Sequence, residues 1–77
     1  MATKKSRAAG AAIQAYLARH SITQAEFAGL LGVTQSAVSQ WILGGPITEE
    51  NRAKILRHTS GEVPAELLFP YAYVRPA

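Results

Sequence analysis

The sequence predicts an all-α domain of five short helices followed by an extended aromatic tail. Three observations predict it. Thr23, Thr34 and Thr48 each stand just ahead of a helix-forming stretch, where a hydroxyl can cap the free backbone N–H groups. Apolar pairs four residues apart, Ile13/Leu17 and Val38/Ile42, give helices a buried stripe. Glycine and proline at Gly32, at Gly44 to Pro46 and at Gly61 fall where those stretches end.

Taken in order, residues 1–7 are polar and hold Lys4, Lys5 and Arg7. They read as a basic flexible arm ahead of the first helix. The alanine-rich stretch "AAGAAIQAYLARH" favours helix, and Gly10 weakens its first turn. Arg19 and His20 suit the negative end of its dipole. In the second helix Thr23 and Glu26 form a capping box, and Ile22 can staple to Phe27. Phe27, Leu30 and Leu31 are expected to face inward, and Gly32 stops the helix. Thr34 caps a third helix from Gln35 to about Leu43. Thr48 caps a fourth, with Glu49 and Glu50 in its first turn and Arg57 and His58 in its last. Ile47 can pack at its start, Ile55 and Leu56 are its apolar residues, and Gly61 closes it. "PAELL" gives one short turn begun by Pro64. The helical domain spans residues 8–70, and residues 71–77 form the tail.

Composition bounds the function. The chain has 77 residues, enough for one domain and one core. A chain this size buries about 60–65% of its unfolded surface and gains from dimerising. It has no cysteine, and His20 and His58 lack ligand spacing, so neither metal nor cofactor is expected. A net charge of +3 suits an anionic partner. No apolar run approaches the ~20 residues of a membrane span. The basic start lacks the leucine-rich core of a secretory signal, which points to the cytoplasm. No paired carboxylates, Ser/His/Asp or Cys/His set, or phosphate-cradling loop suggests an enzyme or a small-molecule site, so no residue is assigned to catalysis.

The second and third helices, joined by "GVT", form a helix-turn-helix signal. Gly32 suits the left-handed position of the turn, Ala28 is small at the crossing, and Leu31, Val33 and Val38 fill the corner. On the outside, Gln35, Ser36, Ser39 and Gln40 make a face with no charge. The segment "QAEFAGLLGVTQSAVSQWILGG" resembles the helix-turn-helix of the phage repressor and Cro superfamily. The downstream "RHTSGEVPAELL" is similar to the Cro-like YdaS family, although the aromatic ending "LLFPYAYVRPA" departs from it.

That resemblance implies a five-helix Cro/repressor-like domain that represses transcription on double-stranded operator DNA, as a homodimer on a pseudo-palindrome. Its setting would be a phage or prophage and the bacterial nucleoid. Gln35, Ser36 and Gln40 fall on the family's base-reading positions, and Ser39 beside them can bond a base or a phosphate. Thr34, Lys4, Lys5 and Arg7 become candidates for the DNA backbone. The resemblance also implies that Gln24 bonds phosphate and steadies Gln35. Phe69, Tyr71, Tyr73 and Val74 are candidates for the dimer interface. Alternatives remain open. The α3 face can be merely solvated, and Trp41 can touch DNA or be buried. The aromatic tail can fold on its own core. The chain can also be an antitoxin-type component of a toxin–antitoxin pair, with a protein as its main partner.

Overall fold

The computed structural model describes residues 4–69, with the backbone alone for residues 4–6. These residues form α1 (Lys4–His20), α2 (Gln24–Leu31), α3 (Gln35–Ile42), α4 (Glu49–His58) and α5 (Ala65–Leu68). Among the described residues there is no strand. The all-α, five-helix expectation therefore stands.

The helix starts follow the local chemistry. Thr23 accepts the Glu26 N–H at 3.0 Å, and the Glu26 carboxylate accepts the Thr23 N–H at 2.8 Å. That backbone bond holds the Glu26 carboxyl below its ordinary range. Thr34 accepts the Ala37 N–H at 3.1 Å, and Thr48 accepts the Asn51 N–H at 3.2 Å. Each such cap contributes about 1 kcal/mol. At the other end of α2, Gly32 sits at φ +72°, and the Val33 N–H returns to the Ala28 carbonyl at 2.9 Å.

One core joins all five helices. Ile13 and Leu17 of α1, Phe27, Ala28 and Leu31 of α2, Val38 and Trp41 of α3, Ile55 of α4 and Leu68 of α5 are buried together. Ile47 and Val63 fill the approaches to α4 and α5. Thr59 is the buried polar residue here: its hydroxyl donates to the Ile55 carbonyl at 2.8 Å and accepts the Val63 N–H at 3.3 Å. The turn after α4 is thereby tied down without an unpaired buried group.

Along the helices themselves the structure departs from the sequence reading at three points. First, α1 begins at Lys4, so Lys4, Lys5 and Arg7 belong to its opening turns and not to an arm before it. Lysine, arginine and alanine are all good helix formers, and no proline interrupts them. Second, Leu30 points outward and is 56% exposed. The neighbours Phe27 and Leu31 take the inner face, and the i+3 position of an eight-residue helix lies at its edge. Third, Gly10 does more than weaken a turn. It is buried where α1 meets the end of α3, and a Cβ there would stand 2.7 Å from the Ile42 carbonyl oxygen and closer still to that of Trp41. The missing side chain is what lets the two helices approach.

Candidate functional site

The corner made by α2 and α3 positions the residues singled out from the sequence. The turn at Gly32 to Thr34 reverses the chain tightly. Val38 is fully buried, which fixes the roll of α3 and sends Gln35, Ser36 and Gln40 to the outside. All three are exposed and carry no charge. Thr34 is exposed too, with its hydroxyl occupied by the cap. Trp41 is 3% exposed and is thus removed from that face.

Ser39 and Gln24 behave differently from expectation. The Ser39 hydroxyl donates to the Gln24 Oε1 across the corner at 2.5 Å, and both residues are half-buried. Gln24 is therefore fastened to Ser39, not to Gln35. The bond uses the one donor of the serine, so Ser39 pins α2 to α3 and presents less to a ligand than its neighbours do. The amide NH₂ of Gln24 keeps its donors.

Arg7 is exposed on α1. Phe69 caps the end of α5 and packs half-buried against the core. Tyr71, Tyr73 and Val74 lie outside the described residues. At the far end of α1, Arg19 and His20 close on Glu62, with Nη2 to Oε2 at 3.1 Å and Nε2 to Oε1 at 2.9 Å. The hydrogen bond from His20 leads in holding the Glu62 carboxyl below its usual range, with Arg19 adding to it. Sequence reasoning placed Arg19 and His20 at a helix end and missed this clasp, because its partner stands more than forty positions away. Among the described residues no three His, Cys, Asp or Glu side chains gather as a metal site would need. No helix of the described residues is long and apolar enough to cross a membrane.

No curated protein and no solved structure matches the chain. One family model does match, over residues 1–58: Hepatocyte nuclear factor 1 (HNF-1), N terminus. The match takes in α1 to α4 and ends with the last residue of α4. It overturns the resemblance to the phage repressor, Cro and YdaS families, and with it the reading of a Cro-like repressor on an operator. The antitoxin alternative and the bacterial setting likewise find no support. The family is instead one of transcription factors, and its N-terminal part is associated with dimerisation. The error has a physical origin: a capped helix, a glycine turn and a second capped helix satisfy packing rules that are not the property of one family. By the match over residues 1–58, this chain belongs to the HNF-1 N-terminal family.

Proposed function

We propose that the chain is a dimerising helical domain of a transcription factor that works on DNA, a binding role and not a catalytic one. The observation that supports this is the family match across α1 to α4. Pairing also suits the chain physically. A domain of this size has a small core, and association adds buried apolar surface. Leu43, just past α3, is 78% exposed and is a side chain that a second copy could cover. Burying one leucine contributes about 1.5–3 kcal/mol. Phe69, Tyr71, Tyr73 and Val74 are the other proposed interface residues. Sedimentation of the full chain and of a chain ending at Pro70 tests the reading. Dimer for the first and a larger dissociation constant for the second are expected. The same behaviour in both removes the tail from the interface.

A second reading concerns where DNA would lie. The uncharged, exposed face of Gln35, Ser36 and Gln40 favours α3 as the contact. Glutamine and serine can bond base edges, and the open first turn of α3 offers backbone N–H groups to phosphate. Lys4, Lys5 and Arg7 on α1 and the Gln24 amide would add phosphate contacts. Gln35→Ala should then lose about 1–3 kcal/mol on a preferred duplex and much less on random DNA. Equal losses on both would remove Gln35 from base contact.

A further inference from the structure

Between the end of α2 and the outer side of α4 runs a groove of about 320 Å³, lined by Leu30, Leu31, Lys54, Arg57 and His58. A single exposed leucine is ordinary on a protein surface. Here the 56% exposed Leu30 shares a groove with three basic side chains, and that combination has a chemistry of its own. Lys54 is held in place: its Nζ donates to the Leu31 carbonyl at 3.4 Å and stands 3.7 Å from a Glu50 carboxylate oxygen. Arg57 is exposed and makes no ion pair among the described residues. The His58 ring stands edge-on to the buried Phe27, with centroids 6.4 Å apart, which stiffens that wall. Of the carboxylates on the neighbouring elements, Glu26 is committed to its cap, Glu50 to Lys54 and Glu62 to Arg19 and His20, while Glu49 stands in the first turn of α4, at the other end of that helix from Arg57.

We propose that this groove docks an acidic peptide segment carrying an apolar side chain, with its carboxylates on Arg57 and Lys54 and the apolar group on Leu30. Charge complementarity supplies the attraction and the register. A phosphate backbone would meet the same cations but leave Leu30 in water, so the leucine is what selects peptide over nucleic acid. The groove also stands at the opposite end of α2 from Gln24, with Leu30 roughly 9 Å away along the helix axis. None of its lining residues belongs to α3, and the docking does not depend on pairing.

The test uses the full chain and a short labelled peptide with one leucine flanked by glutamates, followed by fluorescence anisotropy at low salt. Beside it run the same peptide with glutamine for glutamate and a labelled DNA duplex. The glutamate peptide should bind at least about tenfold tighter than the glutamine peptide. Leu30→Ser and Arg57→Glu should each weaken binding about tenfold, with thermal melting little changed because both side chains are exposed. In the unsubstituted chain, amide shifts should move at Leu30, Lys54, Arg57 and His58. Equal affinity for the two peptides would overturn the proposal, as would shifts confined to α3. Displacement of the peptide by duplex DNA, with Leu30→Ser binding as tightly as the parent, would make the groove a phosphate surface and overturn it too.

Discussion

Alanine at position 10 should destabilise the protein, although alanine is the better helix former. In an exposed helix the exchange gains about 1 kcal/mol. Here the new Cβ would stand 2.7 Å from the Ile42 carbonyl oxygen, where an ordinary carbon–oxygen contact is about 3.3 Å. The helices must therefore part by at least about 0.6 Å. A gap of that order forfeits about a quarter of the dispersion energy of each contact along the crossing. Overpacking typically costs about 1–3 kcal/mol, and the upper end applies because backbone carbonyls cannot swing aside. The net effect is a loss of about 2 kcal/mol, or a fall of roughly 10 °C in melting temperature. Gly29 is the control. It lies in α2 with open space around it, and Gly29→Ala should gain up to about 1 kcal/mol. Urea unfolding reads both, as a change of midpoint at constant slope. A stabilised Gly10→Ala chain would refute the close crossing of α1 and α3.

Two further outcomes follow from the same structure. Thr59→Val keeps the shape of the side chain but strips the Val63 N–H of its buried acceptor, so unfolding in urea should show a loss of about 1–3 kcal/mol. Glu62 has a folded pKa below its ordinary 4.5, so its contribution is fully present above that value and is lost as pH falls through the lower folded one. The stability difference between the parent and Glu62→Gln should accordingly shrink below about pH 4.5. A difference that is unchanged down to strong acid would show that the clasp with Arg19 and His20 does not hold.

What could be read from the sequence was local. The caps at Thr23, Thr34 and Thr48 and the stop at Gly32 need only neighbours within four residues, and all appear. Features that depend on distant partners were not readable. Gly10 takes its meaning from carbonyls of residues 41 and 42, and Glu62 from α1. The Gln24–Ser39 bond spans two helices and competes with the pairing to Gln35 that a family analogy suggested. Leu30 satisfied the helical period yet fell outside the core, because periodicity gives a stripe but not its edge. The uncharged face of α3 was legible as a face. Its assignment to one family was not, since capped helices around a glycine turn answer to general packing chemistry.

Whether the chain works as a pair is read by sedimentation equilibrium of the full chain over a wide concentration range. A reversible monomer–dimer equilibrium is expected, with the dissociation constant raised about tenfold by Leu43→Ser. A chain that sediments as a monomer at every concentration would contradict it.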